Sequence, residues 1–143
     1  MQLATVLKYI WAAPGTVLGV CSACVASILG AKFALVQGIL EVSLLPRYAV
    51  LHRAMSSFPI AAITFGHVVV ARSEQDQVVL REHERVHVTQ YEKWGVFFLL
   101  AYPLESLLQL LLGRRPYHDN RFEVAARAAI QVNAQQSTVV GEA

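Results

Sequence analysis

Residues 81–91 read Arg-Glu-His-Glu-Arg-Val-His-Val-Thr-Gln-Tyr and contain the pattern His83-Glu84-x-x-His87. Residues four apart in sequence share one face of an α-helix, so His83 and His87 can offer two imidazoles to one metal ion. Glu84 follows the first histidine and can act on a water molecule bound to that ion. The stretch therefore predicts a helix that carries two metal ligands and a general base.

The flanking sequence places this motif in the middle of a long helix. Ser73 is a suitable N-cap and is followed by acidic residues, which favour the first turn of a helix. The helix is predicted to end at Trp94, because Gly95 is typical of a helix C-terminus. The β-branched run Ile60–Ala71 precedes the helix and predicts a strand, with Gly66 as a bulge or bend.

A third metal ligand has to come from another segment. A catalytic zinc ion takes three protein ligands and leaves one position for water, and two histidines with one glutamate is a common set. Glu123 is the first candidate, because the apolar helix predicted over Val96–Leu112 can turn the chain back towards the motif. His118 is the alternative ligand. Glu123 also has an explanation without metal, as the partner of Asn120 in a capping box.

The composition indicates a connection with a membrane. Of the 143 residues, 55% are hydrophobic and 15% are charged, with a mean hydropathy of +0.45; in soluble domains about a quarter are charged. No charged residue lies between Lys8 and Lys32, and a bilayer is crossed by about 20 helical residues. We predict a membrane helix here, with a cleaved signal peptide or a hairpin broken at Pro14-Gly15 as alternatives.

Two further features narrow the function classes. Cys21 and Cys24 form a C-x-x-C pattern, but the chain has two cysteines only, so half a zinc site or a redox pair is less favoured than small residues in an apolar helix. The net charge is +2 and the basic residues are scattered, so nucleic acid is not an expected partner.

Together these patterns predict an α+β fold. It comprises an N-terminal hydrophobic, transmembrane helix, a small β-sheet of about three strands, and three helices of which the last ends near Gln135. Lys32–Val36 and Ile39–Ser43 are predicted to form a hairpin, and Leu44–Phe58 a short amphipathic helix. The predicted domains are a membrane helix (1–31), a metal-binding domain (32–136) and a disordered tail (137–143).

The motif and the segment downstream of it resemble zincin-type metallopeptidases of the gluzincin kind. The resemblance covers Ile60 to Ala129, is closest to small bacterial membrane-associated proteins with such a domain, and is carried by His83-Glu84-Arg85-Val86-His87-Val88-Thr89-Gln90-Tyr91-Glu92-x-Trp94-Gly95 and Tyr117-x-Asp119-Asn120-x-Phe122-Glu123. It implies a minimal zincin-like arrangement in which one Zn²⁺ is bound by His83, His87 and Glu123. Such proteins often have an acidic residue four positions after the glutamate ligand, where this chain has Arg127.

The expected function is that of a membrane-associated zinc metallopeptidase acting on a peptide or protein substrate. Zinc would activate a water molecule and Glu84 would take its proton. Tyr117 is the catalytic candidate for stabilising the oxyanion, with His118 and Tyr91 as alternatives. The other hypothesis is a non-catalytic membrane protein, a binding or assembly module in which zinc serves only the fold.

Membrane lipid is the second expected partner. More basic residues follow the N-terminal apolar segment closely than precede it, which favours a cytoplasmic position of the catalytic part at the bacterial inner membrane. An intramembrane protease is disfavoured, because the motif helix carries many charges.

His67, in the predicted strand, is interpreted as an ordinary strand histidine rather than a residue of the substrate cleft.

Overall fold

The computed structural model, described for residues 3–28, 30–45 and 61–141, has the predicted α+β architecture. The chain divides into two compact units, Met1–Val96 and Phe97–Ala143. Most of the helix predicted over Leu44–Phe58 lies outside the described residues. The elements are α1 (Leu3–Ile28), β1 (Lys32–Val36), β2 (Ile39–Ser43), β3 (Ala62–Phe65), β4 (Val68–Ala71), α2 (Glu74–Trp94), a 3-10 turn (Gly95–Phe97), α3 (Phe98–Leu111) and α4 (Arg121–Gly141).

The sheet of the first unit has four strands in the order β1-β2-β4-β3, where about three were predicted. The hairpin of β1 and β2 is confirmed, and β2 pairs with β4 in parallel. The extra strand arises at Gly66, whose φ of 58° favours glycine. Phe65 pairs with Val68 across this turn. The segment predicted as one bent strand is therefore a tight hairpin, β3–β4.

Helix α1 packs within the first unit through small residues. An added Cβ at Gly19 would lie 2.6 Å from the Cβ of Val68, and one at Gly15 would lie 2.7 Å from the ring of Tyr91. Small residues allow such close approach of a helix to its neighbours, as in membrane proteins. The buried small residues form a stripe of Ala12, Gly15, Gly19, Ala23 and Ala26.

Polar contacts also bind the first half of α1 to α2. The ammonium group of Lys8 lies 3.1 Å from the carboxylate of Glu92, and the indole N–H of Trp11 donates to the carbonyl of Lys93 at 3.3 Å. The helix continues through Pro14, so the alternative of a hairpin broken at Pro14-Gly15 is wrong. The segment predicted as a separate membrane domain thus belongs to the same compact unit as the motif helix.

Among the described residues, two stretches are long and apolar enough to cross a membrane, Thr5–Ile28 and Glu74–Leu111. Length and composition alone define them, and a core helix or a signal sequence meets the same criteria. In α1 the large apolar side chains lie opposite the small-residue stripe and are exposed. They include Leu3, Leu7, Ile10, Val17, Val25 and Ile28.

The second unit is built on α3 and α4. Asn120 caps α4, since its side-chain oxygen accepts from the backbone N–H of Phe122 at 2.8 Å. Its amide group donates to the carbonyl of Tyr102 at 3.1 Å and to the hydroxyl of Ser106 at 2.8 Å. Helix α4 continues to Gly141, beyond the predicted end near Gln135.

The packing of α1 leads to a stability prediction. Gly19→Leu should lower the free energy of unfolding by at least about 1–3 kcal/mol, because the new side chain overlaps Val68 and the backbone of β3. Val20→Leu, at the neighbouring exposed position, is the matched control and should unfold as the parent does. Thermal unfolding in detergent measures both. Equal stability of the two variants would contradict the packing of α1 on the hairpin.

Candidate metal centre

Helix α2 presents the motif from its middle, as predicted. At its start the hydroxyl of Ser73 accepts from the backbone N–H of Asp76 at 3.0 Å. At its end Gly95 has a φ of 59°, and its N–H bonds to the carbonyl of Tyr91. The histidines are therefore held away from both ends of the helix, where fraying is greatest.

A half-buried ion pair connects α2 with the sheet. The guanidinium group of Arg81 donates to both carboxylate oxygens of Glu41, a buried residue of β2, at 2.8 and 2.9 Å. These hydrogen bonds, and then the charge of Glu41, raise the pKa of Arg81. A two-point contact of this kind fixes orientation as well as distance. The ion pair therefore fixes the rotation of α2 about its own axis at Arg81, two residues before His83.

The two motif histidines converge as metal ligands do. The Nε2 atoms of His83 and His87 are 3.1 Å apart. Two nitrogens at this separation, each about 2.0–2.1 Å from one zinc ion, subtend an angle of about 100° at the metal, close to a tetrahedral angle. The amide oxygen of Gln90 lies 2.8 Å from Nδ1 of His87. A proton on Nδ1 would leave the lone pair of Nε2 available to a metal ion.

Glu84 is buried beside β3. The hydroxyl of Thr64, on that strand, donates to Oε2 of Glu84 at 2.7 Å. Both residues are buried. The proposed general base is therefore oriented by a hydrogen bond from the edge of the sheet.

Glu123 lies in the first turn of α4 and is 2% exposed. The hydroxyl of Tyr102 donates to its Oε1 at 2.7 Å, and Nη1 of Arg127 lies 3.7 Å from its Oε2. In a capping box the carboxylate would bond to the backbone N–H of Asn120. That N–H donates instead to the carbonyl of Tyr117. The capping-box explanation of Glu123 is therefore wrong.

His83, His87 and Glu123 form a buried group that could hold a metal ion. Each histidine could give the ion an imidazole nitrogen, and Glu123 a carboxylate oxygen. The His83 residue as a whole is only partly buried. His118, the alternative third ligand, is exposed and is not part of this group. The exposed thiols of Cys21 and Cys24 on α1 are not part of it either.

The loop before α4 contains the remaining predicted residues. Tyr117 is 40% exposed, and its ring packs edge-on against that of His118 at 5.4 Å. Arg127 also donates to the carbonyl of His118, so it connects Glu123 with this loop. Hydrogen bonds from Arg115 lower the pKa of Asp119 and hold the loop at its other side. The catalytic role of Tyr117 stays a prediction.

Three residues of the centre were not predicted as such: Thr64, Gln90 and Tyr102. Gln90 could have been found, because it follows His87 by three residues and so lies on the same face of the helix. Thr64 and Tyr102 are distant in sequence from the groups they contact, and no local pattern indicates them. Tyr91 is buried against α1, and this burial raises its pKa to about 12, so its phenol is neutral.

No protein-family model, curated protein or solved structure matches the chain. The resemblance to the zincins stays a prediction that depends on the motif and its surroundings.

The contact of Gln90 with His87 can be tested by substitution. Gln90→Leu removes the acceptor for Nδ1 and should weaken zinc binding about 10–100-fold, as loss of such a partner typically does. Gln75→Leu, at an exposed position of the same helix, should leave affinity unchanged. Competition with a chromophoric chelator measures both. Equal affinities would show that Gln90 does not orient the ligand.

Proposed function

We propose that the chain is a membrane-associated zinc-dependent hydrolase of peptide bonds. His83, His87 and Glu123 would bind the ion, and Glu84 would act as general base. The observation that carries this proposal is the pair of Nε2 atoms 3.1 Å apart, next to a carboxylate that Thr64 orients. A buried carboxylate beside two converging imidazoles can act as a general base that takes a proton from a metal-bound water.

The ligand set favours zinc and a catalytic site. Two imidazoles and one carboxylate suit a borderline ion such as Zn²⁺ and leave a fourth position open. Structural zinc sites are usually closed by four ligands and are rich in cysteine. Here the two cysteines lie on α1, outside the group.

The chemistry of the site follows from its charges. A zinc ion, when bound, lowers the pKa of its water towards neutrality and polarises a substrate carbonyl. Thr64 binds Oε2 of Glu84 and thereby leaves Oε1 to accept the proton of that water. Glu84 can then deliver the proton to the departing amine. Tyr117 remains the proposed donor to the oxyanion.

The edge strand β3 offers a binding surface for an extended peptide. In the described sheet β3 pairs with β4 alone. The N–H of Arg72 donates to the carbonyl of Ala61, and hydrogen-bonded pairs alternate along an antiparallel ladder. Ala62 and Thr64 therefore direct their backbone groups away from β4. A peptide added at this edge would lie beside the residue that contacts Glu84.

The exposed face of α1 supports membrane association. The helix packs inward with small residues and presents large apolar side chains outward. This distribution suits a helix that contacts lipid on one side and protein on the other. We place the protein at the membrane through this face, with the cytoplasmic orientation proposed from the charge pattern.

One observation favours a second candidate function. Arg127 lies 3.7 Å from Oε2 of Glu123, at the position where the resemblance to the zincins implies an acidic residue. Without that acidic partner the site could bind zinc but not be catalytic, and zinc would then only stabilise the fold of a membrane module.

Two substitutions separate these functions. Glu84→Gln should abolish hydrolysis of peptides, by at least about 10²-fold, because the general base is lost, while zinc content stays at the wild-type level. Glu82→Gln, on the exposed side of the same helix, is the control and should keep full activity. Glu123→Ala should lose zinc. Peptide hydrolysis and metal content of purified proteins measure all three.

Retained zinc with no hydrolysis in the wild-type protein, over a broad peptide library, would favour the non-catalytic module. Undiminished zinc in Glu123→Ala would remove this residue from the ligand set.

A further inference from the structure

The second unit has its polar side chains inside and its leucines outside. Gln109 and Asn120 are 2% and 0% exposed. Gln109 donates to Glu105 of the same helix at 2.7 Å, and Asn120 donates to the carbonyl of Tyr102 and to the hydroxyl of Ser106 on α3. The hydrogen bonds of these two amide side chains are thus made in the interior of the unit. This is the reverse of the distribution expected in water.

The outer side of α3 is a continuous apolar stripe, here termed the leucine face. Its members recur at the spacing of one helical face and are each between 42% and 75% exposed: Leu100, Leu104, Leu107, Leu108 and Leu111. Exposed apolar stripes of this extent mark interaction sites.

We propose that the leucine face is immersed in one leaflet of a lipid bilayer, with α3 lying in the plane of the membrane. The helix has 14 residues and is therefore about 21 Å long, whereas the hydrocarbon core is about 30 Å thick. Taken alone, α3 is shorter than that core, and it forms the apolar end of the longer stretch Glu74–Leu111. The polar side of α3 faces α4 and is therefore shielded from lipid.

The residues that follow α3 fit the headgroup region. Arg114 and Arg115 are exposed directly after the helix, where cations meet anionic phosphates. Tyr117 is 40% exposed, and tyrosine favours the boundary between hydrocarbon and water. A lipid surface explains the basic end and the leucine face together. This inference does not depend on catalysis.

Spin labels can locate the leucine face. In a full-length Cys21→Ser, Cys24→Ser background, single cysteines replace Leu100, Leu104, Leu107 or Leu111, and Gln131→Cys on α4 is the control. The proteins are reconstituted in vesicles of phosphatidylcholine and phosphatidylglycerol. Accessibility to oxygen reports lipid exposure, and accessibility to a soluble nickel complex reports water exposure.

The labels on the leucine face should be accessible to oxygen and protected from nickel at one common depth, and the control should behave oppositely. The four positions are independent, so a single misfolded variant does not decide the outcome. A depth that changes steadily along α3 would instead show a spanning helix. Nickel accessibility equal to the control would place the face in water. Spin–spin broadening that disappears on dilution with unlabelled protein would show a second copy on this face. Each of these three results would overturn the proposal.

Discussion

The metal centre depends on the rotation of one helix. Two imidazole nitrogens 3.1 Å apart can share an ion only while α2 holds both side chains on the same face and in fixed rotamers. The ion pair of Arg81 with Glu41 fixes that rotation from the sheet. Gln90 fixes the ring of His87 from the helix itself. Glu123, the proposed third ligand, is held separately by Tyr102.

Helix α1 has a second role besides its apolar surface. Its small residues let it lie directly on the β3–β4 hairpin and on α2, and Lys8 and Trp11 bind the end of α2. His67, in the turn between β3 and β4, is bound at the same place. Its ring stacks on that of Tyr9 at 4.0 Å and its Nε2 lies 3.3 Å from Glu92. Any movement of α1 at a membrane would therefore act on the hairpin and the motif helix together.

Local pattern predicted most of the architecture and the three residues of the group that could hold a metal ion. The capped motif helix, the first hairpin and the α+β class follow from spacing, capping residues and glycine positions. The sequence did not distinguish a bent strand from a hairpin at Gly66, because both interpretations need the same glycine. The sequence also did not show that α1 packs on the sheet, because an apolar helix has the same composition whether it contacts lipid or protein. Thr64 and Tyr102 act across long sequence separations that only the fold brings together.

The most direct test of the metal centre is X-ray absorption at the zinc edge on the purified full-length protein. One zinc per chain should be found with nitrogen and oxygen neighbours at about 2.0–2.1 Å, as two imidazoles and a carboxylate require. Absence of bound zinc would contradict this account. So would a sulfur neighbour at about 2.3 Å, which would place the ion at Cys21 and Cys24 instead of His83, His87 and Glu123.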